Sequence, residues 1–236
     1  MAAITHLLAT STSANAGLYS TNTFTPAASS MLLAFVAASG TDASNPWLEI
    51  STQNWKRFTL VTSAPWGSGA NRLYAFISNG PVSSASAIKA FFDCSQNNAT
   101  AVVIQMAQVT GMSRIGMNAI RQIALVDSEG ATSTTPVCTW GVSTLTANAC
   151  IAAVGYTSSI AQVTAMTNWT ERSDVGVVTP STACEYMSRD SGNVSTTVST
   201  GAAVNSEHAM IALELNTSTI DIRMGANLQY YPMRFR

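Results

Sequence analysis

The chain has 236 residues, a net charge of −1 at neutral pH, and 10% charged against 47% hydrophobic residues. That length can bury a proper core as one large domain or two small ones, while the charge normally found in soluble domains, about 25%, is replaced by Ser, Thr, Ala and Asn. With lysine only at Lys56 and Lys89 and no basic run, the composition argues against a nucleic-acid groove, and the depletion of charge is typical of surface that ends inside an interface.

Residues 1–17 (MAAITHLLATSTSANAG) superficially suggest a secretory signal ending in Ala-Asn-Ala. There is no basic n-region, and Thr5, His6 and Thr10 interrupt the apolar run, so no leader is expected. The segment to residue 25 is rich in Ser and Thr and reads as an N-terminal arm. Residues 29–40 (SSMLLAFVAASG) form the most apolar run of the chain. A membrane helix needs about 20 apolar residues, so this run is too short to span. Its tight bounding by small residues favours a strand buried on both faces.

Further strands are expected at 57–63 (RFTLVTS), 72–78 (RLYAFIS), 85–94, 99–109 (ATAVVIQMAQV), 149–156 (ACIAAVGY), 194–199 and 208–215 (HAMIALEL). Segments rich in Gly, Ser, Asn and Pro separate them, as in an all-β sandwich or barrel. Helical signal is thin. Ile115, Ala119, Ile120 and Ile123 have a helical spacing that Gly116 weakens. No repeat is legible. The expectation is an all-β, antiparallel, jelly-roll-like sandwich over 26–216. The runs 29–40 and 208–215 should be neighbouring core strands that bracket it. Residues 217–236 then form a tail that concentrates Arg223, Tyr230, Tyr231, Arg234, Phe235 and Arg236. These residue types are enriched at interfaces, so the tail reads either as a docking segment or as a last edge strand.

Catalytic chemistry finds little support. The only histidines are His6 and His208; neither lies near a G-x-S-x-G elbow, so a Ser-His-Asp triad is not indicated. Cys94, Cys138, Cys150 and Cys184 form no C-x-x-C pair and read as small buried thiols rather than zinc ligands or disulfides. Asp42, Asn45 and Glu49, and Asp127 with Glu129, make oxygen-rich loops that turn chemistry explains without calcium. The scattered acidic residues single out no glycosidase dyad, and no phosphate loop is present. The sequons at Asn98, Asn168, Asn193 and Asn216 are what chance supplies in so Ser/Thr-rich a chain. Trp47, Trp55, Trp66, Trp140 and Trp169 are expected to close the ends of the core rather than to form sugar platforms. No cofactor, no metal and no enzyme activity is expected.

The ordered set of segments SSMLLAFVAASG, NPWLEISTQNWKRFTLV, GSGANRLYAFIS, ATAVVIQMAQVTG, RQIALVDSEGATSTTPV, NWTERSDVG and AMIALEL resembles the β-sandwich virion proteins of tailed bacteriophages over about residues 24–216. Residues 112–123 and the tail depart from that pattern. The resemblance implies a structural role in the virion without catalysis. A cement or decoration protein would stabilise the head by contacts with the major capsid protein or other virion proteins. It would be a homo-oligomer, with a trimer among the symmetries allowed, and would have no nucleic-acid or membrane partner. The alternative is a tail, neck or fibre component that binds a host surface glycan.

Overall fold

The computed structural model describes residues 2–41, 45–51, 56–128, 132, 135–157, 164–190, 194–200 and 206–217. Among the described residues there are fifteen strands, every ladder between them is antiparallel, and the one helical element is a single 3-10 turn at Gly116–Ala119. The stripe around Ile115 thus becomes a turn followed directly by a strand.

The first eight strands are β1 (Ala3–Ala16), β2 (Leu18–Ser20), β3 (Met31–Ser39), β4 (Trp47–Ile50), β5 (Lys56–Trp66), β6 (Asn71–Ser78), β7 (Ala90–Asp93) and β8 (Ala99–Thr110). They hydrogen-bond in the order β1-β8-β3-β6-β5-β4-β7-β2. The pairs β1·β8, β2·β7, β3·β6 and β4·β5 are the arms of one long hairpin. Rolling that hairpin adds β3·β8 and β4·β7, which is the winding of a jelly roll. β5 joins both walls. Its start pairs with β4, its remainder pairs with β6, and a bulge between Leu60 and Thr62 lets it bend.

The same winding recurs in the second half. There β9 (Ile120–Asp127), β10 (Val137–Thr139) and β11 (Ala149–Tyr156) pair with β15 (His208–Leu215), β14 (Thr197–Ser199) and β13 (Thr182–Arg189) as hairpin arms. β11·β15 and β12 (Thr170–Val177)·β13 complete the roll. At the place of the fourth strand the described residues show one bridge, Ala165 to Thr200 beside β14. The single sandwich expected over 26–216 is therefore two rolled halves, and the fold carries a repeat that the sequence does not announce.

The halves pack through their larger walls. β1, β8, β3, β6 and β5 lie over β12, β13, β11, β15 and β9 in that order, so each strand faces the counterpart that a pseudo-two-fold axis along the strands requires. Three apolar cores result. Leu33, Phe35 and Ala37 of β3 meet Ile151 and Ala153 of β11 and Ile211 and Leu213 of β15 between the walls. Leu32, Ala34 and Val36 point the other way, into the first roll, against Leu48, Phe76 and Phe92. Cys150, Ala152, Val154, Met210 and Ala212 fill the second roll under Trp140 and Trp169. β3, β11 and β15 are buried along their whole length because a core lies on each face. β3 and β15 are both core strands, as expected, but they are not neighbours. They belong to opposite walls, and β15 pairs with β11 and β9.

Residues 3–16, expected as an arm outside the sandwich, form β1 and pair with β8 from Ala3 opposite Thr110 to Ala16 opposite Ala99. The backbone groups of a polar Thr/Ser strand gain as much from a ladder as those of an apolar one. Trp66 crosses from the first half to the second: its ring is fully buried and its Nε1–H donates to Thr157 Oγ1 at 3.1 Å. Gly155 makes room for it, since a Cβ there would stand 3.1 Å from the indole ring.

Candidate functional site

Strands related by the pseudo-axis run the same way, so both rolls present corresponding loops at one end of the molecule. That end carries a cavity of about 350 Å³ opening into the first roll, within the range of small-ligand pockets. Its wall is apolar, from Leu32, Ile50, Pro81 and Val82, and Arg57 and Asn79 stand among its polar residues. Ser78 fixes the opening, because its hydroxyl accepts the Leu32 N–H at 3.0 Å and donates to the Gly80 carbonyl at 3.0 Å. Asn79 Nδ2 donates to the Arg57 carbonyl at 3.1 Å. The Arg57 guanidinium stacks 4.1 Å above the Trp47 ring, with Nε 4.0 Å from Glu49. The Arg57 side chain is 67% exposed; such a pair contributes at most about 1 kcal/mol and leaves the cation accessible.

Beside this cavity lies the root of the tail. Gly116 of the 3-10 turn rests against the backbone of Ser78 and Asn79, and the N–H of Asn216 donates to Ala119 O at 2.7 Å. A buried polar cluster then holds Thr217. Its N–H donates to Asn148 Oδ1 at 3.2 Å, and Asn148 Nδ2 donates to Glu214 Oε1 at 2.7 Å. Glu214 is fully buried and accepts three further bonds, from Leu145 N–H at 2.8 Å, Arg121 at 2.6 Å and Gln122 at 2.5 Å. Burial pushes its carboxyl up, but the bonds from Leu145, Asn148, Arg121 and Gln122 together outweigh burial and hold it below its ordinary value. Arg121 and Gln122 also bond the Ser143 and Val142 carbonyls, so one carboxylate fastens β9, β15, the 142–148 loop and the start of the tail. Its acceptor positions are all in use, which makes it a structural clamp rather than a free acid or base.

The other sequence-derived candidates separate cleanly. Arg223, Tyr230, Tyr231, Arg234, Phe235 and Arg236 lie outside the described residues, as do Trp55, Asp42 and Glu129. Among the described residues no group of three His, Cys, Asp or Glu is placed to hold a metal, and no helix is long and apolar enough to cross a membrane. The four cysteines are free and buried; burial pushes the Cys150 thiol up to about 11 and that of Cys138 to about 12, which makes them poor nucleophiles. His6 Nδ1 meets the Tyr186 hydroxyl at 2.9 Å between the halves. His208 is buried, with Nδ1 3.3 Å from Ser206 O. Burial lowers the pKa of both, and among the described residues neither histidine is hydrogen-bonded to a carboxylate. Trp66, Trp140 and Trp169 are core residues, whereas Trp47 is half-buried beneath Arg57. The opposite end of the first roll has a shallow depression of about 270 Å³ around Gly40, Thr41, Ala70 and Asn97.

Sequence reasoning did not find the Glu214 clamp. Its four donors come from two distant stretches, Arg121-Gln122 and Leu145 to Asn148, and the visible signal was a lone acidic residue at an inward position of an otherwise apolar strand. Comparison with protein-family profiles, with curated proteins and with solved structures returns no match.

Proposed function

We propose that this chain is a structural protein of a tailed-bacteriophage virion, a cement or decoration protein that stabilises the head through contacts with the major capsid protein or its neighbours. The observation that carries the reading is the clamped tail root. A double jelly roll with a charge-poor sequence spends a buried carboxylate and its four donors on fixing the chain up to Thr217, directly before an Arg/Tyr-rich segment in the sequence. A rigid launch point lowers the ordering cost of docking that segment, and Arg, Tyr and Phe are the side chains that anchor interfaces. Jelly rolls serve viral capsids, although they also serve lectins. Truncation after Thr217 tests the reading. The shortened chain should melt as the full chain does and fail to bind purified particles; undiminished incorporation would contradict it.

A second reading, a tail, neck or fibre component that holds a host glycan, is favoured by the open cavity with Arg57 over Trp47. A glycan array separates the two. Binding lost in Arg57→Ala and Trp47→Ala would support the glycan reading, and an array blank for the intact chain would sink it.

A further inference from the structure

The internal repeat supplies its own control for the sheet edges. β1 and β9 occupy equivalent positions, each at the border of its wall, and β12 borders the second wall beneath β1. β9 has eight residues, with Arg121 near one end and Asp127 at the other. β12 carries Glu171, Arg172 and Asp174 and a bulge between Glu171 and Ser173. Charges and bulges of this kind keep an edge from pairing with another chain. β1 has fourteen residues and no charged residue or proline.

Its two ends are closed by side chains. The N–H of Ile4 turns away from β8 to Asp190 Oδ1 at 3.2 Å. At the other end the Tyr19 hydroxyl donates to the Ala14 carbonyl and accepts the Ala16 N–H at 3.3 Å. Bulges at His6/Leu8 and Ser13/Ala16 bracket a regular run from Leu8 opposite Met106 to Ser13 opposite Ala101. Since Ile4 faces outward opposite Val109 and β8 is regular against β3, the alternation of an antiparallel ladder sends the backbone groups of Ala9, Ser11 and Ser13 outward as well. Among the described residues β1 pairs only with β8, and within that set these groups form an open stretch between two closed ones.

We propose that this stretch is the contact between two copies of the chain: antiparallel addition of β1 to β1 about a two-fold axis at Ser11, with Ser11 opposite Ser11 and Ala9 opposite Ser13. A second copy suits this edge, because antiparallel pairing about a two-fold axis sets β1 only against residues of β1, and a strand without Asp, Glu, Lys or Arg then opposes no like charges. The charges on β12 confine the addition to the layer of β1. The pairing rests on the strand geometry and stands or falls separately from the virion reading.

The test places opposite charges on the axis. The full chain should sediment as a dimer. Ser11→Asp and Ser11→Lys, at an exposed position, should each raise the dimer Kd about tenfold or more while melting as wild type, and an equimolar mixture of the two should restore the dimer. In the wild type, hydrogen exchange at Ala9, Ser11 and Ser13 should slow as protein concentration rises. A monomeric wild type, a dimer indifferent to both substitutions, a mixture no more associated than its components, or exchange independent of concentration would overturn the proposal.

Discussion

The two halves share a winding and spend it differently. The first roll builds its smaller wall from real strands, β4 and β7 paired through Trp47–Ile50, and encloses Tyr74, Phe76 and Phe92 in mutual ring contact. The second, among the described residues, has only the Ala165 bridge at the equivalent place and closes its core with Trp140, Trp169 and the β10·β14 ribbon. In its place the second roll has a polar clamp, with Glu214 at its centre and Arg189 reaching Thr144 at 3.1 Å. One roll is thus held mainly by apolar closure and keeps an open mouth and an uncharged edge. The other is held in part by a buried ion pair and guards its edges with charge. The shared winding keeps the pairing scheme, because strand twist is a backbone property and both walls bury an apolar face that pins register, and it leaves closure free to differ.

The sharpest way to break this comparison is to remove what joins the halves. Trp66→Ala should cost about 3–5 kcal/mol and still leave one cooperative denaturant transition, because the inter-wall core belongs to both rolls; two separate transitions would show that the halves stand alone. Glu214→Ala comes next, at the lower end of about 3–5 kcal/mol because Arg121 keeps some access to water. Hydrogen exchange should quicken in the 142–148 loop and at Thr217 while the first roll is unchanged. The same residue sets an acid limit. A carboxyl held below its ordinary value contributes its stability fully above the ordinary carboxylate range and loses it as pH falls through the folded value. The Tm of Glu214→Gln should therefore fall less steeply in acid than that of the wild type.

Gly155→Ala presses a methyl on the Trp66 ring and should cost about 1–3 kcal/mol, measured by urea unfolding. The smallest effect expected is that of the histidines. Burial lowers both pKa values, so their contribution is present above the ordinary value of 6.5 and lost as pH falls through the folded values. A His6→Gln, His208→Gln chain should show a flatter Tm between neutral pH and the carboxylate range.

The strands legible in the sequence are those with apolar pressure on both faces. Residues 31–39, 149–156 and 208–215 read as buried strands because each lies between two cores. β1 and β12 were invisible for the opposite reason: edge strands such as Thr10-Ser11-Thr12-Ser13 and Thr170-Glu171-Arg172-Ser173 carry no apolar alternation, and their pairing is set by the neighbour's backbone. The repeat was hidden because equivalent positions hold different chemistry, Trp47–Ile50 in one roll and Ala165 in the other, although Asn54-Trp55 and Asn168-Trp169 stand before both β5 and β12. The buried thiols and most of the tryptophans were legible from residue type alone. The Glu214 clamp was not, since a carboxylate whose donors come from two stretches about 70 and 90 residues away in the sequence leaves no local signature.

The proposed virion role is tested most directly by asking whether purified phage particles contain this chain, with its copy number counted by quantitative mass spectrometry and its place found by reconstruction. The account predicts hundreds of copies on the head, each placed with its 217–236 tail against a neighbouring capsid subunit. A handful of copies at the neck or fibres, or particles that lack the chain altogether, would contradict it.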